Sequence, residues 1–330
     1  MRSDFIFPWS RVLHSQKLGF IRWNVFQIGR IIPLLVLFLC VAINSTAFAD
    51  QAPRKLDTAF GVVSVKGTPK RVITLSEGAL DTALAIGVQP VGVVATRGSN
   101  TVSDYLQDKV GQFSVVGTSR EFNLEAILRL QPDLILAANG LSKDVYATLS
   151  KLAPTIVPAA KSTDDWRITA ALYASALGKD AELKSAFSAL DERIEGLRAR
   201  LPAGQTVSLV RWMPQGPMVM SAHVFTGQLL AQLGFTGTDI ASSLTERPHS
   251  DVLSLENLAK IDADWLFLAT LNAEGEKTLA QARKQAAFTR LNAVSSNHVS
   301  VVNGQVWTSG TGVLAANSVL DDVEKSLLQK

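Results

Sequence analysis

Four arginines are the residues of this chain best suited to bind a charged ligand. Three of them directly follow short β-branched runs and the fourth lies in a later loop: Arg97, Arg120, Arg211 and Arg247. In open α/β sheets the loops at the carboxyl ends of the strands form the ligand crevice. Guanidinium groups suit carboxylates and other multidentate anions. A single loop arginine is usually solvated surface, whereas for four in matching positions an anion site and a solvated surface are the two alternatives.

Residues that could support catalysis are scattered. The sequence has no P-loop, no His-Glu-x-x-His and no Gly-x-Ser-x-Gly motif, and it has no closely spaced His pair. His249-Ser250-Asp251 is not a triad, because triads assemble from residues that are separated in sequence. Gly310-Thr-Gly312 fits a dinucleotide fingerprint, but too little chain follows it for a β-α-β unit. We interpret it as a turn that opens the last helix, and we predict a binding protein without catalytic residues.

The first 49 residues read as a secretory signal peptide. A segment rich in Lys and Arg is followed by an uncharged apolar run at 31–43 and by Ala47-Phe48-Ala49, which predicts cleavage after Ala49. An uncleaved anchor is the alternative, but the run is shorter than the roughly 20 residues of a spanning helix. Lipid attachment at Cys40 is a further alternative, although it wants a small preceding residue and Leu39 stands there.

Removal of the leader changes the charge of the chain. The whole sequence has 32 Lys and Arg against 29 Asp and Glu, of which residues 1–49 hold five and one. The mature chain therefore has a net charge near −1. A basic nucleic-acid footprint has no support in such a composition.

Short buried strands alternate with amphipathic helices on both sides of a helical segment. This rhythm predicts parallel sheets covered on both faces, and the fold class is α/β. The predicted strands lie at 71–75, 91–96, 113–117, 134–138, 155–158, 206–210, 218–220 and 266–269, with a further pair at 299–307 around Asn303-Gly304. The predicted parts are a leader at 1–49, an α/β lobe at 50–163, a connecting helical segment at 164–204 and a second α/β lobe at 205–330. Within the helical segment, the alternative to a rigid connector is two ordinary helices joined at Gly178.

An internal repeat links the two predicted lobes. Residues 123–136 match residues 254–267, each with a capping residue, Leu-Glu, a short helix, an Asp and a buried strand. Asn123 and Ser254 are suitable N-caps. Glu125 and Glu256 fall in the first turn, where the helix dipole favours a carboxylate. That explains both glutamates structurally, and the alternative is that each binds a basic partner.

Several of these motifs, in this order, resemble a known family. Residues 71–81 (Arg-Val-Ile-Thr-Leu-Ser-Glu-Gly-Ala-Leu-Asp), 130–136 and 225–235 carry the likeness. From about residue 68 to 328 the chain resembles bacterial iron-siderophore periplasmic binding proteins of the ferric citrate or hydroxamate type. The resemblance implies two Rossmann-like lobes joined by a long rigid helix, a monomer, and an ABC importer permease dimer in the inner membrane as partner. It also implies that Glu125 and Glu256 dock onto the permease.

The resemblance further implies which positions face the ligand. They are Ser76, Glu77, Thr96, Arg97, Arg120, Arg211, Trp212, Arg247, Asn272 and Trp307. The arginines are expected to neutralise an anionic ferric complex, and the two tryptophans to cover its apolar parts. No protein-bound cofactor is expected, since the ferric ion stays within its chelator. Haem or cobalamin capture by the same architecture, and a periplasmic enzyme built on it, are the alternatives.

Overall fold

Parallel strands form the central sheet of the N-terminal lobe in the computed structural model, which describes residues 52–329. An antiparallel hairpin precedes this sheet, and the strands in chain order are β1 (Arg54–Thr58), β2 (Gly61–Val65), β3 (Val72–Leu75), β4 (Gly92–Ala95), β5 (Ser114–Thr118), β6 (Leu134–Ala137) and β7 (Thr155–Ile156). The sheet order is β5-β4-β3-β6-β7, and each neighbouring pair is parallel. Every residue of β3, β4 and β6 is buried, as expected for a sheet covered on both faces. The five predicted strands of this lobe are confirmed, whereas the hairpin was not predicted.

Four helices follow the strands of this lobe: α1 (Glu77–Ala85), α2 (Asp104–Gln107), α3 (Leu124–Arg129) and α4 (Lys143–Leu149). Helix α1 begins after Ser76, whose hydroxyl accepts a hydrogen bond from the backbone N–H of Ala79 at 3.2 Å. Soon after the helix, Gly87 takes a φ of 78°, which favours glycine and turns the chain toward β4. The first strand therefore leads straight into a capped helix at the carboxyl edge of the sheet.

The helical segment between the lobes contains two helices, α5 (Trp166–Leu177) and α6 (Asp180–Arg198). Gly178 separates them with a left-handed φ of 69°, which ends α5. Helix α5 packs against α1 and β1, whereas α6 packs against the helix that closes the described chain. The predicted long helix is present as the 19 residues of α6. The break at Gly178 corresponds to the alternative of two helices joined at this glycine.

The C-terminal lobe repeats the parallel arrangement with an antiparallel addition. Its elements in chain order are β8 (Thr206–Met213), β9 (Gly216–Val219), α7 (Phe225–Gln232), β10 (Thr236–Gly237), α8 (Asp239–Ser243), a 3₁₀ helix (Leu255–Ile261), β11 (Trp265–Thr270), α9 (Ala273–Ala282), α10 (Ala286–Thr289), α11 (Asn292–Ser295), β12 (Val299–Asn303), α12 (Gly304–Trp307) and α13 (Val313–Leu328). The sheet order is β10-β8-β11-β12, and β9 pairs antiparallel with β8.

The pair of strands predicted around Asn303-Gly304 is wrong in its second half. Strand β12 is present, but the helical turn α12 follows it in place of a strand. The Asn303 side chain caps this turn by accepting from the backbone N–H of Gln305 at 2.8 Å. Gly304 lies against the chain at Thr270, where a Cβ would come within 2.5 Å of the carbonyl oxygen.

The internal repeat occupies matching places in the two sheets, which confirms paired lobes. Strand β6 pairs with β3 and β7, and β11 pairs with β8 and β12. The preceding helices differ, because Asn123 accepts from the Ala126 N–H at 2.9 Å while Ser254 makes no such side-chain cap. Ser254 Oγ instead accepts from the side chain of Asn257 at 3.1 Å. The predicted N-cap at Ser254 is therefore wrong, and a 3₁₀ helix forms there.

A buried carboxyl group on α1 forms hydrogen bonds with the start of the last helix. Asp81 of α1 is fully buried and accepts hydrogen bonds from the backbone N–H groups of Leu314, at 3.0 Å, and Ala315, at 2.8 Å. These are first-turn donors of α13, which have no partner within the helix itself. Gly312 precedes that turn with a φ of 132°, and a Cβ on it would collide with Asp81. The Gly310-Thr-Gly312 segment is thus a turn that opens the last helix, as predicted.

The predicted signal peptide, its cleavage site after Ala49 and Cys40 lie outside the described residues. Within residues 52–329, no helix is both long enough and apolar enough to span a bilayer.

Candidate ligand-binding cleft

A cleft of about 580 Å³ lies between the two lobes, along the carboxyl ends of the parallel strands. Its N-terminal wall comes from the segments that follow β3, β4, β5, β6 and β7, and its C-terminal wall from β8, α7, α12 and the turn before α13. Sites for small molecules typically have volumes of about 300–1,000 Å³. The cleft therefore has the size and the position expected of a ligand site in an α/β sheet.

The structure brings seven of the ten predicted ligand positions to this cleft: Ser76, Glu77, Thr96, Arg97, Arg120, Arg211 and Trp307. Four of them follow the ends of β3 and β4, where the strand-end argument places a crevice. The remaining three predicted positions, Trp212, Arg247 and Asn272, do not line it.

Arg211 is the buried cation of the cleft. Only 4% of the residue is exposed, and its side chain is fixed by Thr308, whose Oγ1 accepts from Nε at 2.8 Å and whose carbonyl oxygen accepts from a terminal nitrogen. Among the ion pairs of residues 52–329, none involves Arg211. Burial, with a contribution from the nearby charge of Arg97, lowers its pKa to about 10, so it is still a cation at neutral pH.

Arg97 and Arg120 are held differently. Both are exposed, both follow strand ends, and in the described part of the chain neither side chain forms an ion pair. Together with Arg211 they give the cleft three guanidinium groups from two lobes. Such a set can surround an anion that carries several oxygen atoms.

Trp212 is a correction to the predicted site. Successive side chains of a strand point to opposite faces, so Arg211 and Trp212 of β8 cannot both face the cleft. Trp212 is 2% exposed and packs in the core of the C-terminal lobe, where its ring contacts Phe288 with centroids 6.3 Å apart. It cannot cover a ligand.

Trp307 lies at the cleft, but its ring is turned into the protein. It is 1% exposed, its indole nitrogen donates to Asp322 at 2.7 Å, and its ring stacks on Phe267 with centroids 4.4 Å apart. Its carbonyl oxygen accepts from the hydroxyl of Thr226, another cleft residue, at 2.7 Å. Trp307 therefore supports the wall of the cleft, and the prediction that it covers the ligand is wrong in this structure.

Arg247 and Asn272 are occupied by local structure. Arg247 forms an exposed ion pair with Asp251, four residues on, at 2.6 Å. Asn272 caps α9, with its side-chain oxygen accepting from the backbone N–H of Gly275 at 3.1 Å. Neither side chain lines the cleft, and the sequence alone did not distinguish these local roles from ligand binding.

An aromatic wall was missed by the sequence reading. Trp166 and Tyr173 of α5 and Phe225 of α7 line the cleft, and Trp166 meets Phe225 edge to face at 5.3 Å. The Tyr173 hydroxyl donates to the carbonyl oxygen of Ala137 at the end of β6, at 2.8 Å. A helix that starts just after a parallel strand faces the same crevice, and that position was the signal available for Trp166.

An ion pair crosses the rim between the lobes. Lys161 Nζ, in the segment after β7, lies 2.7 Å from a carboxylate oxygen of Glu246 in the loop after α8. Both side chains are largely exposed, so the pair contributes little to stability. Lys161 also lines the cleft and adds an exposed cation at its edge.

Glu77 and Asp164 are the two acidic residues among the described residues that line the cleft, and Glu77 lies at its N-terminal wall. Its Oε2 accepts a hydrogen bond from Thr96 Oγ1, whereas its buried Oε1 has no hydrogen-bond partner within residues 52–329. Burial raises the pKa of Glu77 to about 7, although the hydroxyls of Thr96 and Ser103 and the charge of Arg97 act in the opposite direction. Both the neutral and the ionised form of this carboxyl group are therefore accessible near neutral pH.

The two predicted docking glutamates are exposed in equivalent units of the two lobes. Glu125 lies in the first turn of α3 and pairs with Arg129 at 2.5 Å, and Glu256 lies in the first turn of the 3₁₀ helix. Exposed leucines precede each of them, Leu124 and Leu255. In residues 52–329 no group of three or more His, Cys, Asp or Glu side chains is arranged to hold a metal ion.

A model of the periplasmic binding protein family matches residues 72–306, which cover most of both lobes. The chain belongs to the periplasmic binding protein family. This periplasmic binding protein is similar to the probable siderophore-binding lipoprotein YfiY of Bacillus subtilis, with 31% identity over 310 residues that cover 90% of this chain and 95% of YfiY. It is also similar to the achromobactin-binding periplasmic protein of Dickeya dadantii, with 29% identity over 78% of this chain and 86% of the relative.

Solved structures agree with the fold. The crystal structure of Staphylococcus aureus SirA complexed with staphyloferrin B matches with a TM-score of 0.74 and 26% identity, covering 83% of this chain and 98% of that chain. The predicted α/β two-lobe fold and the resemblance to siderophore-binding proteins are thereby confirmed. The family and these relatives are binding proteins, and the relatives are named as periplasmic proteins or lipoproteins.

Proposed function

We propose that this periplasmic binding protein captures an anionic ferric siderophore, of the ferric citrate or carboxylate-hydroxamate type, and delivers it to an ABC importer. Binding takes place in the cleft between the lobes and involves no chemical conversion. The similar proteins support a siderophore over haem or cobalamin, because their names refer to a siderophore, to achromobactin and to staphyloferrin B.

Arg211 is the observation that carries the proposal. A buried charge without a partner is costly, so proteins normally pair it. Arg211 is buried at the cleft with only neutral partners on Thr308. An anionic ligand that enters the cleft supplies the missing counter-charge in a setting where solvent screening is weak. Arg97 and Arg120 then approach the same anion from the other lobe.

The ligand keeps its iron. The three guanidinium groups neutralise the oxygen-rich face of the chelate, and Trp166 and Phe225 pack against its apolar parts. The ferric ion is cargo that stays within its chelator, and no resident cofactor is required. Since Trp166 lies at the cleft, quenching of tryptophan fluorescence is a direct readout of binding.

Delivery rests on Glu125 and Glu256. One exposed acid on each lobe can engage one basic residue on each half of a permease dimer in the inner membrane, with the binding protein acting as a monomer. Neither nucleic acid nor a catalytic partner is involved. The chain reaches the periplasm through the signal peptide and is released after Ala49.

Visible absorbance of the protein purified from iron-starved cells tests the ligand class. We expect a broad ferric charge-transfer band. A Soret band or a corrin spectrum from the bound ligand would instead assign the cleft to haem or cobalamin and overturn the proposal.

Charge reversal tests delivery separately. Glu125→Lys and Glu256→Lys together are expected to abolish uptake of the ferric ligand by cells, while the purified variant binds the ligand like the wild-type protein. Uptake at the wild-type rate would contradict the docking role. A matched control is Glu195→Lys, an exposed acid on α6 whose reversal is expected to leave uptake unchanged.

A further inference from the structure

Glu77 is an acidic residue in a cleft that is expected to bind an anion. It is the first residue of α1 and it lines a cleft to which Arg97, Arg120 and Arg211 also contribute. A carboxylate in that place repels an anionic ligand and cancels part of the positive charge. The carboxyl group nevertheless forms no ion pair in the described part of the chain, so no arginine of the cleft is in direct contact with it.

Burial makes the surroundings of Glu77 poor at holding a negative charge, although its place at the start of α1 acts in the opposite direction. One carboxyl oxygen accepts from Thr96. The other is buried and forms no hydrogen bond of ordinary geometry in residues 52–329, and the nearby Ser103 hydroxyl compensates only part of the cost of burial. A buried carboxylate oxygen without a donor is costly, whereas a protonated carboxyl group needs less compensation. The geometry therefore favours the protonated carboxyl group over the carboxylate more than a solvent-exposed site would.

The charged and titratable groups around Glu77 come from three elements. Asp81 lies one turn further along α1 and is fully buried; burial raises its pKa to about 7, and the charge of Glu77 adds to that rise. Arg97, after β4, favours the carboxylate of Glu77. Tyr105, on α2, is partly buried, and burial raises the pKa of its hydroxyl well above its ordinary value. Burial outweighs the arginine, and the pKa of Glu77 is raised to about 7.

We infer that Glu77 takes up a proton when an anionic ferric chelate enters the cleft, so that the protein selects its ligand with a neutral carboxyl group. This inference rests on the proposed function, since it requires an anionic ligand. The incoming negative charge adds to the cost of the carboxylate and leaves the neutral acid unaffected. The cleft thereby binds the anionic ligand in the state in which Glu77 is protonated, and the affinity for the ligand depends on the pH of the periplasm.

The sign of the pH dependence follows from this linkage. Below about pH 6 the free protein already carries the proton, and binding requires no uptake. Above the raised pKa the proton must be acquired during binding, and affinity falls by up to about tenfold for each pH unit. An ionised Glu77 that contacted a cationic group of the ligand would give the opposite trend.

Titration of ferric citrate and of ferric staphyloferrin B into the mature protein tests the inference, with Glu77→Gln as the variant. Glutamine has nearly the size of the neutral acid and cannot ionise. We expect the affinity of Glu77→Gln, relative to wild type, to rise about tenfold between about pH 6 and about pH 8. Because both proteins meet the same ligand, changes in the protonation of the chelate cancel in this ratio. Glu195→Gln, on the surface of α6, is the control and should follow the wild-type profile.

Calorimetry in buffers of different ionisation enthalpy measures the proton directly in the wild-type protein. We expect close to one proton more to be taken up by wild type than by Glu77→Gln at about pH 8. Parallel pH profiles, or equal proton uptake, would overturn the inference while leaving siderophore binding intact. A variant that is weaker than wild type by a constant factor at every pH would overturn it too, because the carboxylate would then be an acceptor for the ligand. Absence of saturable binding to either chelate would overturn the proposed function and the inference together.

Discussion

The two walls of the cleft present the same functional group in opposite ways. On the C-terminal wall Arg211 lies within a strand, is 4% exposed and is fixed by two hydrogen bonds to Thr308. On the N-terminal wall Arg97 and Arg120 lie in loops after strand ends and are exposed. One lobe thus offers a desolvated cation in a fixed place, and the other offers two solvated cations on long side chains.

The difference separates affinity from adaptability. A charge that is already desolvated and oriented needs no reorganisation when the anion arrives. Solvated arginines lose hydration and side-chain entropy on binding, and salt screens them, so each adds less. They can, however, adjust to chelates of different shape. We expect Arg211 to set the strength of binding and the N-terminal arginines to tune it.

Arg211→Met is the substitution with the largest expected effect. It removes the buried cation while keeping most of its volume, and we expect affinity for a ferric carboxylate chelate to fall about 100-fold. Thermal stability should stay the same or rise, because an unpaired buried charge is removed. Tryptophan quenching and thermal melting measure the two effects. Affinity within twofold of wild type would contradict the assigned role of Arg211, and Arg211→Lys, which keeps the charge, should recover part of the loss.

Asp81→Ala is expected to weaken the contact between α1, at the N-terminal wall of the cleft, and the start of α13. The substitution leaves the N–H groups of Leu314 and Ala315 buried without an acceptor. We expect the free energy of unfolding to fall by about 2–4 kcal/mol. Asp81→Asn keeps one acceptor oxygen and should lose less. Urea unfolding that finds Asp81→Ala as stable as Asp81→Asn would show that these hydrogen bonds do not hold α13.

Arg97→Ala and Arg120→Ala are expected to weaken binding by about tenfold each. The wild-type affinity should fall with added salt, and these variants should show a shallower dependence, because the charges they remove are solvated. Arg211→Met should keep more of the salt dependence than either. If all three variants lost the same affinity and the same salt dependence, the contrast between the two walls would not hold.

Trp212→Phe has the smallest expected effect on binding. Trp212 faces the core with Phe288 on the side of β8 away from Arg211, so ligand affinity should change less than about twofold. Stability should fall by about 1–2 kcal/mol, because a smaller ring leaves space in the core. Trp166→Phe, by contrast, should remove most of the ligand-induced quenching. A loss of ligand affinity in Trp212→Phe would indicate that Trp212 contributes to the ligand site and would contradict its assignment to the core.

Much of this arrangement was predictable from periodicity and strand ends. The buried runs of β3, β4 and β6 have a clear pattern, and the residues that follow them, such as Ser76, Glu77 and Arg97, lie at the cleft as a parallel sheet requires. The repeat at 123–136 and 254–267 predicted paired lobes because it carries both a helix start and a buried strand.

The errors arose where two roles share one sequence signal. Asn272 and Arg247 are residue types that often occur in ligand-binding loops. In the structure, however, the Asn272 side chain caps a helix and the Arg247 side chain forms a local ion pair. Neighbours in a strand cannot be assigned to one face without its register, which is why Arg211 and Trp212 were placed together. The aromatic wall of Trp166 and Phe225 joins the connecting helical segment to the C-terminal lobe, and no short-range pattern reports such a contact.

Calorimetric titration of a ligand panel into the mature protein and into Arg211→Met tests the central claim most directly. The panel contains ferric citrate, ferric staphyloferrin B, a ferric hydroxamate, iron-free citrate, haemin and cobalamin. We predict saturable binding of a ferric carboxylate or hydroxamate chelate to wild type and about 100-fold weaker binding to Arg211→Met, with no comparable binding of the other three. Tight binding of haemin or cobalamin that is indifferent to Arg211→Met, without binding of any ferric chelate, would contradict the account.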